Sequence, residues 1–205
     1  MLTFPVLTED VVPVHGPKQG EWTRADWETL PHDDGHRYEI IEGVLYVSKS
    51  PSSFHQWVIV ALVEHVGIPA KRAGLAHSFV APIGVFMPGC DPVQPDFVVV
   101  RTERQTIIRD RRIFGVPDLV IEVLSPGNAD YDEGIKLTAY ANAGIEEYAL
   151  VDLSARTLRS YRLLGPGSYD QPHTYSAEDS VSFACLPSIS FRVGDLFDGA
   201  PDTTL

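Results

Sequence analysis

A run of six residues, Leu119–Leu124 (LVIEVL), constrains the fold of this chain more than any other stretch. A short apolar run of this kind predicts a strand in a sheet that is covered on both faces. Glu122 lies in its middle, and burying a carboxylate costs roughly several kcal/mol unless it meets a cation, a metal or hydrogen-bond donors. The run therefore predicts a buried strand that carries an acid with a specific partner.

A helix is predicted directly after this strand, beginning at Asp130 and ending at Gly144. Asp130 begins a pattern that resembles a capping box, and a glycine commonly ends a helix. Within this helix, Asp132, Lys136 and Tyr140 follow at intervals of four residues, which places them on one stripe. A buried acid and a polar helix stripe so close in sequence indicate one site.

A second acid, Asp96, lies near the start of another predicted buried strand, residues 93–100. Two acids on adjacent strands with Lys136 nearby are typical of a site for Mg²⁺ or Mn²⁺, since hard cations prefer carboxylate oxygens. The lysine would stabilise developing charge or position a water. The alternative is architectural: Asp96 or Glu122 forms a buried salt bridge with Lys136 and binds no metal.

Five motifs occur in order: YEIIEG from Tyr38, SPSSFHQ from Ser50, QPD from Gln94, PDLVIEVLSP from Pro117 and KLTAY from Lys136. In this combination the chain resembles the Uma-two family of endonuclease-like proteins, a branch of the PD-(D/E)xK nuclease superfamily. The resemblance covers residues 22–198. It implies a restriction-endonuclease-like core in which Asp96 is the first catalytic and metal-binding acid and Glu122 is the second.

The chain departs from the superfamily pattern at the lysine. That lysine would stand two residues after Glu122, on the same strand face, but the position is Leu124. The resemblance implies that the lysine has migrated to Lys136. Replacing Lys136 by alanine is then expected to abolish cleavage and to leave the fold nearly intact.

The resemblance also adds supporting residues to the site, beside Asp132 and Tyr140. His55 lies in the first turn of a predicted helix, where a lone histidine is otherwise a structural residue. Glu39 and Glu42 lie in a predicted hairpin, where the resembled family carries acids. For Glu42, at the turn itself, the competing interpretation is a solvated hairpin end.

The formal net charge of −12 disfavours a protein that coats nucleic acid, since such proteins usually present basic patches. Residues 101–112 are the exception, with five arginines against two acids. Three of these arginines, Arg109, Arg111 and Arg112, are the candidates for weak phosphate contacts. The alternative is an ordinary solvated helix or loop.

Other features predict a cytoplasmic protein that does not enter a membrane. The N-terminus lacks the basic region of a signal peptide, and the longest apolar run is far too short to cross a bilayer. Two cysteines far apart in sequence fit a reducing compartment.

The order of predicted elements indicates an α/β fold: a mixed β-sheet flanked by helices, with an extra N-terminal hairpin and C-terminal β-strands. We expect a loose arm over residues 1–21, a single nuclease-like domain over residues 22–198 and a tail over residues 199–205. We also expect a homo-oligomer, such as a homodimer.

The leading functional hypothesis is a Mg²⁺-dependent endonuclease that hydrolyses DNA phosphodiester bonds. The competing hypothesis is a non-catalytic protein with a nuclease fold, which regulates or binds a partner. The acidic composition and the missing strand lysine favour the second hypothesis, whereas the presence of Asp96, Glu122 and Lys136 favours the first.

Overall fold

The structure is a computed structural model that describes residues 15–31, 34–49, 51–125 and 129–201. It has the predicted mixed α/β architecture, with β-sheets flanked by helices. Residues 1–14 of the predicted arm and residues 202–205 of the predicted tail lie outside the described ranges. Within those ranges no helix is long and apolar enough to cross a membrane.

The elements follow one another in an alternating order of strands and short helices. The helices are α1 (Arg24–Trp27), α2 (Ser53–Leu62), α3 (Ile68–Arg72) and α4 (Leu137–Ala143), with π-helical turns at Val63–Gly67 and Tyr131–Lys136 and 3₁₀ turns at Thr102–Ile107 and Val193–Leu196. The strands are β1 (His36–Ile41), β2 (Val44–Lys49), β3 (Ala76–Val80), β4 (Gly84–Met87), β5 (Cys90–Val93), β6 (Phe97–Arg101), β7 (Ile108–Arg109), β8 (Arg112–Phe114), β9 (Leu119–Leu124), β10 (Glu147–Asp152), β11 (Thr157–Gly165), β12 (Ser168–Tyr169), β13 (His173–Tyr175), β14 (Ser180–Val181) and β15 (Phe191–Arg192).

Two mixed sheets form the framework. The first has the order β2-β1-β5-β4-β8-β7 and is antiparallel except between β4 and β8. The second has the order β12-β11-β10-β9-β6-β3, with β13 also paired to β11, and is antiparallel except between β9 and β10. The predicted strand Leu119–Leu124 is β9, in the interior of the second sheet.

The side chains of β9 alternate between two apolar cores. Leu119, Ile121 and Val123 pack with α2 and with the C-terminal residues 181–197. Val120 and Leu124 face the opposite core, which lies between the two sheets and includes Ala139 and Tyr140 of α4. Glu122 shares that second face because successive side chains in a strand point to opposite sides.

The first sheet also has two different faces. Tyr38 and Ile40 of β1 pack with Trp27 of α1 in a third apolar core. Ile41 belongs to the core between the sheets, so Glu39 and Arg37 point to that side as well. Each sheet thus contributes acidic or basic side chains to the space between them.

The helices differ from the predictions in their ends and exposure. Asp130 has helical backbone angles, and among the described residues no side-chain cap is formed there, so the predicted capping box is wrong. The predicted end at Gly144 is confirmed, with φ of 92°. The sequence of α2 predicts an apolar face packed on the sheet that includes Trp57 and Val60, but this face is only partly buried, since these two residues are 37% and 64% exposed.

Prolines interrupt two strands that the sequence predicts. Residues 76–86 have the pattern of a single strand, but in the structure they form β3 and β4, separated around Pro82; the strand predicted over residues 93–100 stops at Val93 and restarts at Phe97. Proline has no N–H group to donate to a strand ladder, and Pro95 lies in this second gap. Asp96 therefore lies just before β6 and not within a strand.

Candidate active site

The centre of the site is a buried ion pair between β9 and the helical segment that follows it. Lys136 Nζ donates to Glu122 Oε1 at 3.0 Å, and the Tyr140 hydroxyl donates to the same oxygen at 2.8 Å. Glu122 is 1% exposed and Lys136 is 2% exposed. Asp132 Oδ1 lies 3.4 Å from Lys136 Nζ, so the stripe predicted from the four-residue spacing forms one side of the cluster.

Asp96 joins this centre to a second set of donors. Its Oδ1 accepts from Arg37 Nη1 at 2.8 Å, and its Oδ2 lies 2.9 Å from His55 Nε2. The backbone N–H of Val123 also donates to Oδ2, at 3.0 Å. His55 is placed by the N-terminus of α2, where the Ser52 hydroxyl accepts from the His55 backbone N–H.

The interruption between β5 and β6 supplies two further donors. The backbone N–H of Asp96 donates to Glu122 Oε2 at 3.1 Å, and that of Gln94 donates to Glu39 Oε1 at 2.7 Å. Both N–H groups lie in the gap where Pro95 interrupts the strand. The break in the strand therefore connects the two sheets through the acids of the site.

Glu39 is the acid that the first sheet contributes. Its Oε2 lies 3.2 Å from Lys136 Nζ and accepts from the Tyr131 hydroxyl at 3.3 Å. Lys136 thus lies among three carboxylates, those of Glu39, Glu122 and Asp132.

The cluster carries more negative than positive charge, and the pKa values of its acids shift accordingly. Burial raises the pKa of Glu122 to about 8, and the charge of Lys136 only partly opposes this. Burial likewise raises the pKa of Asp132 to about 6. Burial alone would lower the pKa of Lys136, but the neighbouring carboxylates, Glu122 first, outweigh it and raise that pKa, so the ammonium is retained.

Asp96 shifts in the opposite direction from Glu122. Burial would raise its pKa, but the charge of Arg37 and the hydrogen bond with His55 outweigh burial and hold the pKa well below its usual range. Asp96 is therefore ionised at neutral pH, whereas burial shifts Glu122 toward its protonated form and a further cation would shift it back.

A cavity of about 440 Å³ opens onto the Asp96 side of the cluster. Asp96, His55, Gln94 and Arg37 line it, whereas Glu122 and Lys136 are not among its lining residues. The remaining ionisable residues of its wall are basic: His36, Lys49, Arg111 and Arg112. The chain has a net charge of −12, but the wall of this cavity carries a positive net charge.

The arginines predicted to contact nucleic acid lie at the edge of the first sheet. Residues 101–112 form a 3₁₀ turn followed by the hairpin of β7 and β8, in place of a single helix or loop. Arg111 and Arg112 line the cavity of Asp96. The same two arginines, together with Arg109, also line a neighbouring cavity.

The acids Asp96 and Glu122 have the donor chemistry of a site for Mg²⁺ or Mn²⁺. Among the described residues, Asp96 Oδ1 accepts from Arg37 and Glu122 Oε2 accepts from Asp96 N–H, and a carboxylate oxygen can accept about two bonds. Within the same residues, no group of three or more His, Cys, Asp or Glu is arranged to hold a metal ion. Mg²⁺ commonly takes one or two carboxylates and keeps several waters, so the pair fits such an ion.

The structure places most of the predicted site residues together and adds others. Asp96, Glu122, Lys136, His55, Asp132 and Tyr140 meet in one cluster. Glu42 lies outside the cluster, exposed in the β1–β2 turn with φ of 49°. The acid of this hairpin that points into the cluster is Glu39, as the alternation of side chains along β1 requires. Arg37 was not predicted; its place two residues before Glu39 on the same strand was the available signal.

Comparison with known proteins is consistent with this geometry. A family model, Uma2, described as "Putative restriction endonuclease", matches residues 24–194, which is most of the chain. No curated protein matches the chain.

A solved structure has the same fold. It is the crystal structure of a "putative nuclease belonging to DUF820" from Anabaena variabilis ATCC 29413, with 19% sequence identity and a TM-score of 0.71. The alignment covers 85% of this chain and 97% of that one.

Proposed function

The chain belongs to the Uma2 family, and from this premise we propose that it is a metal-dependent endonuclease that hydrolyses DNA phosphodiester bonds. One observation carries the proposal: the buried cluster of Asp96, Glu122 and Lys136 adjoins a cavity whose other ionisable wall residues are mostly basic. A phosphodiester is an anion, and a cavity with this wall attracts it toward the acids.

Asp96 and Glu122 are the residues that would hold Mg²⁺ or Mn²⁺. When bound, the ion would polarise the phosphate and lower the pKa of a water. The excess of carboxylates in the cluster favours such a cation, since Glu122 otherwise holds a proton at neutral pH. Lys136 and the cation would together keep the Glu122 carboxylate ionised.

The two permanent cations of the cluster have different positions and therefore different roles. Arg37 lines the cavity while it donates to Asp96, so its guanidinium can contact a phosphate oxygen and balance its charge. Lys136 lies deeper, and its raised pKa makes it a fixed charge and not a general base. It orients Glu122 and contributes positive potential to the site.

His55 orients Asp96. Its Nε2 lies 2.9 Å from Asp96 Oδ2, and both side chains line the cavity. Together with the Val123 N–H, this contact restricts rotation of the carboxylate and leaves Oδ1 on the Arg37 side.

The competing function, a non-catalytic protein with a nuclease fold, is favoured by a different observation. Both acids already have protein cations as partners, Arg37 for Asp96 and Lys136 for Glu122. Such a network can serve folding specificity alone. The two proposals differ in whether a divalent ion enters the cluster and whether DNA is cut.

The first test is cleavage of supercoiled plasmid and of linear DNA in Mg²⁺, Mn²⁺ or chelator. We expect cleavage only with metal, and a loss of at least about 100-fold in Asp96→Asn and Glu122→Gln. Glu64→Gln, at an exposed acid, is the charge-matched control and should cleave like the parent. Circular dichroism must show that the variants fold. A folded parent that cuts no form of DNA or RNA would favour the non-catalytic protein.

The second test locates the metal directly. Crystals soaked in Mn²⁺ should give an anomalous peak beside Asp96 and Glu122, and the Asp96→Asn variant should lose it. An anomalous map without such a peak, at a concentration that supports cleavage, would show that these acids do not hold the ion.

Two further parts of the proposal concern the setting of the protein. Both cysteines, Cys90 and Cys185, are free thiols, which suits a reducing compartment, and we propose a cytoplasmic location. The homo-oligomer and the single domain over residues 22–198 remain predictions.

A further inference from the structure

A second cavity, of about 340 Å³, shares a wall with the cavity of the candidate active site. Its lining residues are Arg24, Arg109, Asp110, Arg111, Arg112 and Phe114. Arg111 and Arg112 line both cavities, so the two cavities adjoin at these side chains. We refer to this second cavity as the arginine cavity.

Two of its arginines lie over aromatic rings. The guanidinium carbon of Arg24 is 4.7 Å from the centroid of Phe86 and 5.0 Å from that of Phe114. That of Arg112 is 5.3 Å from the centroid of Trp27. Stacking of this kind fixes the guanidinium plane, so less conformational entropy is lost when an anion binds.

The acids near the arginine cavity leave it basic. Glu28 Oε1 accepts from Arg24 Nε at 3.0 Å and from Arg112 Nη1 at 2.8 Å, so one carboxylate is shared by two arginines. A guanidinium has five N–H donors, and most of those on each arginine therefore stay available. Arg111 is 90% exposed, and its ion pair with Asp110, which is 86% exposed, is long at 3.8 Å.

We propose that the arginine cavity binds a backbone phosphate of the DNA strand whose scissile phosphate occupies the cavity of Asp96. Planar guanidinium groups match phosphate oxygens in charge and in paired hydrogen-bond geometry. Because Arg111 and Arg112 line both cavities, one strand would bring two of its phosphates to this shared wall. The choice of DNA as the polyanion rests on the proposed function. The cavity, its positive charge and the stacking of its arginines on aromatic rings are independent of that function.

The test compares two triple variants that remove equal charge. Arg24→Gln, Arg109→Gln and Arg111→Gln together neutralise the arginine cavity and leave Arg112, which packs on Trp27, in place. Lys71→Gln, Arg72→Gln and Arg156→Gln neutralise three exposed residues that line neither cavity. Thermal melting by circular dichroism checks that both variants fold.

Binding is measured in chelator by fluorescence anisotropy of a short labelled DNA duplex, as the slope of log Kd against log salt concentration. In the arginine-cavity variant the slope should become shallower by about 0.9 for each phosphate that the protein no longer neutralises, whereas the control should keep the parent slope. Equal slopes in the two variants, or a parent that does not bind DNA, would overturn the proposal.

A second measurement tests whether one phosphate occupies the cavity. Uncharged methylphosphonates replace the duplex phosphates one at a time. At one position the replacement should weaken DNA binding by the parent but not by the arginine-cavity variant. If both proteins lose the same affinity at every position, the site is rejected. Because chelator prevents cleavage, this result is independent of the nuclease proposal: a parent that binds in this way but never cuts would refute only the latter.

Discussion

At the scale of single residues, Lys136 is the centre of the charge balance. Three carboxylates lie within 3.4 Å of its ammonium, and the side chain is 2% exposed. Removing a buried cation leaves the surrounding carboxylates without a partner in a medium that solvates them poorly. The effect of a mutation here therefore falls on folding as well as on chemistry.

We predict that Lys136→Ala lowers the free energy of unfolding by about 3–5 kcal/mol, the cost of breaking a buried pair from one side. This revises the expectation from sequence that the variant keeps its fold nearly intact. Urea denaturation measures the change, with Lys71→Ala, at an exposed lysine, as the control within about 0.5 kcal/mol of the parent. A loss below about 1 kcal/mol in Lys136→Ala would mean that the cluster relaxes or takes in water.

Glu122 predicts a pH dependence of stability in the metal-free protein. Burial raises its pKa from 4.5 to about 8, so between these values the folded protein holds a proton that the unfolded chain has released. The free energy of unfolding then falls as pH rises, by up to about 1.4 kcal/mol per pH unit for one proton. Asp132, with a pKa raised to about 6, adds to this loss only in the lower part of the window.

The check is urea denaturation in chelator at several values between about pH 6 and pH 8. Glu122→Gln should remove most of the slope in this range, because its side chain binds no proton in either state. Asp96 adds no slope there, since its lowered pKa leaves it ionised in both states. A parent whose stability is flat or rises over this range would show that Glu122 is ionised without metal.

At the scale of elements, two glycines in the segment that carries Lys136 predict opposite effects. Gly144 ends α4 with φ of 92°, where alanine is strained although its Cβ would meet no atom. Gly134 lies in the π-helical turn Tyr131–Lys136, and a Cβ there also meets no atom.

We therefore predict that Gly144→Ala destabilises by about 1–2 kcal/mol and that Gly134→Ala stabilises by up to about 1 kcal/mol. The difference arises from backbone conformation alone, since neither methyl group has a packing partner. Thermal melting of both variants under one condition provides the comparison. Shifts of the same sign would contradict it.

The sequence predicted the elements whose pattern is local and regular. The alternation along Leu119–Leu124, the hairpin of β1 and β2, and the helix end at Gly144 each follow from a short-range rule, and the structure has all three. The breaks at Pro82 and Pro95 were signalled by the missing N–H of proline, but the apolar residues around them outweighed that signal.

Those residues of the candidate site that interrupt an apolar pattern could be predicted from the sequence. Asp96 and Glu122 do so, and Lys136 follows on a helical stripe. Arg37 does not, because it lies near the start of a strand 59 residues before its partner Asp96. Strand periodicity places Arg37 on the same face as Glu39, but the contact with Asp96 depends on how the two sheets face each other, which periodicity does not give. Glu39 and Glu42 were both candidates from sequence, with a solvated hairpin end as the competing interpretation of Glu42, and in the structure Glu39 is buried in β1 whereas Glu42 is exposed in the turn.

At the scale of the whole molecule, charge is separated between the cavities and the rest of the surface. The chain has 28 acids and 16 lysines and arginines, yet basic side chains outnumber acidic ones in the walls of two adjoining cavities. A negatively charged surface repels DNA, so attraction is confined to the cavities. This arrangement suits an enzyme that contacts a short stretch of backbone better than a protein that coats DNA.

The C-terminal residues 180–197 complete the apolar core on one face of the second sheet. They supply apolar side chains that pack against α2 and the Leu119, Ile121 and Val123 face of β9. Glu147, buried at the start of β10, accepts from the backbone N–H of Ala184 at 2.6 Å and so attaches this segment to the sheet. The strands predicted as a C-terminal extension are therefore part of the main core.

The last prediction follows from that packing. Phe183→Ala and Leu196→Ala, at side chains that are 2% and 0% exposed, should each lower the free energy of unfolding by about 2–5 kcal/mol, because the lost burial leaves a cavity. Leu164→Ala, at a leucine that is 74% exposed on β11, should change it by less than about 0.5 kcal/mol. Since Val123 of this core donates its N–H to Asp96, both core variants should also weaken any metal-dependent cleavage before they unfold globally. Urea denaturation and the plasmid assay on the same samples test this coupling. Core variants that unfold earlier but cut DNA at the parent rate until they unfold would show that the packing of residues 180–197 does not position Asp96.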